Sequence, residues 1–119
     1  AIDVRARRPV LGNVQGGLSG PAIKPIALLK VMQVAEVARQ HGVPIIGQGG
    51  IASTQDGLEF LIAGAATIGV GTALFYDPLV SGKINAGLAE YLSAHGLPSI
   101  GALTGDLHLP ARKLEANYC

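Results

Sequence analysis

Val43-Pro44-Ile45-Ile46-Gly47-Gln48-Gly49-Gly50-Ile51 is the stretch on which the reading of this chain turns. Apolar and β-favouring residues run straight into paired glycines, and Ser53 then opens a helical pattern with Asp56 three residues on. The pattern is a strand, a tight turn and a helix start. The run does not alternate apolar with polar, which predicts a strand buried on both faces, as in parallel sheets. Glycine lets the backbone approach a ligand closely, and a helix start presents unpaired N–H groups. That chemistry suits an anion, phosphate above all. Paired glycines also suit a strand that simply ends, and the stretch by itself leaves both readings open.

Downstream, Ser53-Thr54-Gln55-Asp56 has the capping-box pattern. Leu58, Leu61, Ile62 and Ala65 follow at helical spacing and Gly64 is a terminator, so a helix is expected over about residues 54–63. Ala66 to Ala73 reads as a second buried strand that delivers Gly71-Thr72 to its carboxyl end. The Thr72 hydroxyl suits a phosphate oxygen and equally suits local backbone. Two successive strand–helix units, each with ligand-competent residues after the strand, point to parallel β/α architecture. Ligands in such folds sit at the carboxyl ends of the strands. Asp77-Pro78 reads as an N-cap followed by proline at the first helical position. Val80, Ile84, Leu88, Tyr91 and Leu92 then form one helical face, closed by His95-Gly96. Residues 99–103 suggest one more short turn. From Asp106 to Cys119 the periodicity is lost and charges return, as in a tail or edge segment.

Upstream, Ile26 to Gln40 is the longest helical candidate. Lys30, Gln33, Glu36 and Gln40 make one polar stripe, and nearly every other position is apolar. A helix of that kind is expected to pack on more than one side. His41-Gly42 ends it, a cation in the last turn with glycine just beyond, so His41 is read as a cap rather than a catalyst. The glycine-rich loop Gly16-Gly17-Leu18-Ser19-Gly20-Pro21 delivers the chain to this helix, with Pro25 tolerated in the first turn. It is a second potential anion site or a plain connection. Residues 1–20 read as irregular, with Ile2, Val4, Val10 and Leu11 available for a short extended piece. Arg5-Ala6-Arg7-Arg8 reads as a solvated surface run.

Bulk properties narrow the field. At 119 residues the chain is long enough for one small domain, whereas a complete (β/α)8 barrel needs ~200 or more. A net charge of +1 and 4% aromatic residues give no signature of nucleic-acid binding. Hydrophobic residues make up 49% and mean hydropathy is +0.40, which is apolar for so short a chain. Small domains have little interior to fill, so this chain is expected to bury surface against the rest of a domain or against partner subunits. No apolar run approaches the ~18 residues of a membrane span. One cysteine, Cys119, and three scattered histidines form no metal cluster. No secretory leader is read at the start, and a reducing, cytoplasmic setting is the expectation.

Taken together, Gly16 to Pro25, Pro44 to Ile51, Ala63-Gly64-Ala65 and Val70-Gly71-Thr72-Ala73 resemble the C-terminal part of class 1 dihydroorotate dehydrogenases, most closely type 1B, in both order and spacing. The resemblance covers roughly residues 1–103, and Gln48 stands where many members carry methionine. It implies two parallel strands with their helices from the C-terminal part of a (β/α)8 TIM barrel with FMN at its mouth. Residues 1–119 would then form a single incomplete domain with a tail over 106–119. The activity implied is oxidation of dihydroorotate to orotate in pyrimidine synthesis, with proton abstraction by a base and hydride transfer to the flavin. Gly20, Gly49, Gly50, Gly71 and Thr72 match the FMN-contacting positions, with Ser19 adjacent. Lys24 matches the motif with its role left open between a structural salt bridge and a flavin contact. The family's catalytic cysteine and its orotate-binding residues belong to upstream segments, so no catalytic residue is assigned here and the chain alone is expected to be inactive. Type 1B further implies a partner subunit carrying FAD and an iron–sulfur cluster, and an oligomer. Two alternatives are a non-catalytic phosphate- or FMN-binding barrel fragment, and another flavin barrel related to dihydropyrimidine dehydrogenase.

Overall fold

The computed structural model describes residues 1–109. The chain opens on a small antiparallel hairpin, β1 (Ile2–Asp3) and β2 (Arg8–Pro9), in which Ile2 faces Pro9 and Asp3 faces Arg8. Asp3 holds the turn: its Oδ1 accepts from the N–H groups of Arg5 at 2.9 Å and Ala6 at 3.0 Å. A 3-10 turn over Pro21–Ile23 leads into α1 (Lys24–Gln40), which carries Pro25 in its first turn. Gly42 just beyond its end is left-handed, with φ at 65°, as the His41-Gly42 ending requires.

β3 (Ile46–Gln48) and β4 (Thr67–Gly69) pair in parallel, with Ile46 opposite Thr67 and Gln48 opposite Gly69. The parallel β/α order is therefore as read, with each strand only three residues long, and β4 is shorter than the Ala66–Ala73 run read as a strand. They are also not buried on both faces. Gly47 is buried, while Ile46 is 61% exposed. Each strand has one hydrogen-bonded neighbour among the described residues, so the ladder holds only where the two overlap. On the covered face α2 comes close: a Cβ at Gly47 would lie 2.8 Å from the Phe60 ring and 2.9 Å from the Ala65 methyl.

α2 (Thr54–Ala63) has the expected bounds. Ser53 Oγ accepts the Asp56 N–H at 3.2 Å, and Gly64 ends the helix at φ 123°. It packs against both α1 and α3 (Val80–Ala94), and its Phe60 and Leu61 join Ile84 of α3 as the largest fully buried side chains. Val80, Ile84 and Leu88 form the buried face of α3, with Tyr91 and Leu92 packed beside them.

Two local expectations need correction. Asp77 is not the N-cap of α3, because Leu79 takes that position. Asp77 instead closes a turn one step earlier: its Oδ1 accepts the Leu79 N–H at 3.2 Å and its Oδ2 pairs with Lys83 at 2.7 Å. α1 was expected to pack on more than one side, yet only Val31 and Ala35 are buried, and Ile26, Leu29, Val34 and Val37 lie exposed. A 3-10 turn over Ile100–Ala102 fills the short turn expected at 99–103. The expected tail lies mostly at residues 110–119, outside the described residues, as does Cys119. No described helix is long and apolar enough to cross a membrane.

Candidate phosphate-binding site

Three short segments meet beyond the carboxyl ends of β3 and β4. The first is Ser19-Gly20, before α1. The second is Gly49-Gly50-Ile51, between β3 and α2. The third is Gly71-Thr72-Ala73, where β4 gives way to a 3-10 turn over Thr72–Phe75 that the sequence did not announce. All three line a single cavity of about 330 Å3. Gly20, Gly49, Gly50, Gly71 and Thr72, the five positions singled out from sequence, are therefore neighbours around one space.

The glycines let the segments approach. Gly49 and Gly50 are left-handed, with φ at 126° and 76°, a backbone that favours glycine. A Cβ at Gly50 would sit 2.7 Å from the Gly20 carbonyl oxygen, and one at Gly49 would sit 2.5 Å from the Ala27 methyl of α1. Packing against α1 thus accounts for both glycines before any ligand is considered. A Cβ at Gly71 would meet nothing within 4 Å.

Hydrogen bonding separates two kinds of N–H group here. The start of α2, read from sequence as an anion site, is partly taken up by the chain itself, since the Asp56 N–H donates to Ser53 Oγ and the Asp56 carboxylate lies at the helix entrance. Asp56 Oδ2 accepts from the Ala52 N–H at 3.0 Å and from Ser53 Oγ at 2.8 Å. In the turn before α1, the Ile23 N–H bonds the Gly20 carbonyl and the Lys24 N–H bonds the Pro21 carbonyl. The Gly49 N–H faces the Gly69 carbonyl at the end of the parallel ladder, whereas the N–H groups of Gly50, Ile51, Gly71, Thr72 and Ala73 make no hydrogen bond to any described residue. Backbone donors left unpaired need a partner from solvent or ligand. Here five of them belong to residues lining one cavity, and among the described residues none in the lining carries a charged side chain. The donor set fits a multiply charged oxyanion, and there is no carboxylate in the lining to repel one.

Behind the cavity lies a charge cluster. Lys24 Nζ sits 2.5 Å from Asp56 Oδ1 and 2.9 Å from Glu59 Oε2. Burial pushes the Asp56 carboxyl up, but hydrogen bonds from Lys24, Ala52 and Ser53 outweigh it and hold the group below its usual range. The hydrogen bonds to Asp56 and Glu59 raise Lys24. Lys24, left open from sequence, is thus engaged with α2.

Sequence reasoning passed over two lining residues. Gln48 ends β3, and its side chain lies across Gly69, whose Cβ would meet Gln48 Nε2 at 2.5 Å. Its place directly before the paired glycines was the available signal. Tyr76, at the end of the 3-10 turn, lines the far side and had none.

Parallel strand–helix units with a loop cradle at the strand ends define part of a β/α barrel. Comparison with known proteins is specific. The family model for dihydroorotate dehydrogenase matches residues 1–92, and the chain belongs to that family. It is 50% identical over 109 residues to the catalytic subunit of dihydroorotate dehydrogenase B (NAD(+)) of Desulforamulus reducens, covering 92% of this chain and 35% of the relative. It is 51% identical over 107 residues to the corresponding subunit of Trichlorobacter lovleyi, covering 90% and 34%. Among solved structures, DHODH of Eimeria tenella aligns in its ferulenol complex (TM-score 0.71, 28% identity, 81% of this chain and 26% of that one). It aligns also in ligand-free form (TM-score 0.72, 27% identity, 88% and 29%). The chain spans about a third of the length of the curated relatives it matches.

Proposed function

We propose that this chain forms the phosphate-gripping sector of an FMN-dependent dihydroorotate dehydrogenase of the NAD-linked B type. The observation that carries the proposal is the set of unpaired N–H groups in Gly50–Ile51 and Gly71–Ala73 around one cavity with no charged side chain among the described residues. Gly50, Gly71 and Thr72 donate to the flavin phosphate, the Thr72 hydroxyl adds a further donor, Gly49 carries the turn past α1, and Gly20 closes the third side. Tyr76 and Gln48 bound the space into which the remainder of the cofactor extends. Bound FMN would supply the hydride acceptor for oxidation of dihydroorotate to orotate. The chain's own part is to bind and orient. The base and the orotate contacts belong to the remaining two thirds of a barrel, which also covers the exposed flank of α1. The names of the curated relatives, catalytic subunits of an NAD(+)-dependent enzyme, support a separate electron-transfer subunit as partner.

The test compares FMN with riboflavin, which lacks the phosphate. Purified chain is titrated with each and followed by flavin absorbance and fluorescence, with desalting to find which flavin stays bound. Two charge-assisted hydrogen bonds at roughly 1.5 kcal/mol each give an expected preference for FMN of about a hundredfold. Equal affinity for the two flavins would overturn the phosphate assignment. Flavin retention with no dihydroorotate-dependent reduction of an acceptor is the result expected of a sector without the upstream base.

A further inference from the structure

Lys24 and Asp56 lie outside the cavity lining, yet between them they hold both ends of the Gly50–Ile51 segment, which supplies two of its five free N–H groups. At the near end, Gly50 is pressed against Lys24: a Cβ there would fall 3.1 Å from the Lys24 backbone nitrogen and 3.0 Å from its Cβ. At the far end, Ala52, the residue after Ile51, donates its N–H to Asp56 Oδ2 at 3.0 Å. The other oxygen of the same carboxylate takes the Lys24 ammonium, which also reaches Glu59 on the next turn of α2. One lysine therefore touches the glycine turn with its backbone and the start of α2 with its side chain. One carboxylate ties that start to the end of the same turn. The Lys24 and Asp56 side chains are 25% and 15% exposed, so the pair is shielded from solvent more than a surface ion pair.

We infer that Lys24 and Asp56 are positioning residues that set the spacing of the Gly50–Ile51 amides from the Gly20 and Gly71–Ala73 segments, and so tune affinity for a bound phosphate without touching it. The inference rests on the phosphate reading of the cavity and goes beyond it. A pair that only stabilised the fold would lower Tm and leave the discrimination between ligands in the folded chain unchanged. A positioning pair changes the discrimination itself, because small misplacements of binding donors are costly.

The experiment measures the ratio of FMN to riboflavin affinity, with inorganic phosphate as competitor, in the wild-type chain and in Lys24→Met, Lys24→Arg and Lys83→Met. Folding is checked by far-UV circular dichroism. Lys24→Met is expected to lower the ratio by about tenfold, the order seen when a group supporting a binding residue is removed, and to weaken phosphate competition equally. Lys24→Arg, which keeps the charge and can span both carboxylates, restores most of the ratio. Lys83→Met breaks the Asp77 pair away from the cavity and leaves it unchanged. A folded Lys24→Met with the wild-type ratio overturns the inference while the phosphate assignment stands. A wild-type chain that does not distinguish FMN from riboflavin overturns both. If Lys24→Met does not fold, Lys24→Gln, which retains a donor for Asp56, takes its place under the same criteria.

Discussion

α1 and α2 are built from similar material and end up in different circumstances. α2, ten residues long, buries Gly57, Leu58, Phe60, Leu61 and Ala63. α1, seventeen residues long and apolar around most of its circumference, buries Val31 and Ala35 only. The difference lies in neighbours, not composition. α2 packs against α1, α3 and both parallel strands, so every apolar position on it finds a partner. Val34 and Val37 of α1, at 51% and 58% exposure, find none among the described residues. Burial is a property of position in an assembly, and an apolar helix with a bare flank records a neighbour that its sequence was written for.

The contrast can be broken most directly with paired truncations. Phe60→Ala, which empties a fully buried site, is expected to cost about 3–5 kcal/mol in urea denaturation of the chain. Leu29→Ala on the bare flank of α1 is expected to stay within about 0.5 kcal/mol. If the two losses were equal, the flank of α1 would be buried in the species being unfolded. A smaller effect sharpens the same comparison at the helix starts. Ser53→Ala removes the side-chain cap of α2 and should cost about 1 kcal/mol. α1 begins after Ile23 with no side-chain cap, so Ile23→Ala should change Tm much less.

The smallest effect is on pH. The Asp56 carboxyl lies below its ordinary 3.8 in the folded chain. Its stabilisation is therefore complete above that value and drains away as pH falls through the lowered pKa. Lys24 lies above its ordinary 10.5, so its contribution is complete below that value and is lost as pH rises through the raised one. The urea midpoint should be level between these limits and fall at each. Lys24→Met should flatten the alkaline fall, and an alkaline limb unchanged in that variant would show that some other group causes it.

Much of this was legible in the residues. The bounds of α2 follow from Ser53, Asp56 and Gly64, because caps act within one turn of chain. Gly49, Gly50, Gly71 and Thr72 stand out as glycine and threonine placed after strands, while Gly20, in a glycine-rich loop before a helix, was singled out by the family resemblance. What was hidden depends on which of several available partners a side chain takes, near or far in sequence. Asp77 looked like a cap because proline follows it, but Lys83 and the Leu79 N–H compete for its oxygens and delay the helix by two residues. The strands looked long because apolar runs do not reveal how many neighbours a sheet will supply. The start of α2 looked like an open anion site, although its capping box turns Asp56 back toward the helix entrance, where it takes the Ala52 N–H one residue before the cap. The engagement of Lys24 with Asp56 joins residues thirty-two apart, beyond the reach of any periodicity.

The cradle is made of peptide N–H groups, and that has a consequence for inheritance. A donor that belongs to the main chain is encoded by almost every codon. At Ile51 or Ala73 any substitution except proline leaves the hydrogen-bond donor in place, so the grip can outlast wide drift in the side chains around it. The vulnerable positions are those where the backbone path depends on having no Cβ, Gly49 and Gly50 against Ala27 and Gly20. On the proposed phosphate assignment, selection would therefore be written in the glycines of the cradle and in the absence of proline, and hardly at all in polar side chains.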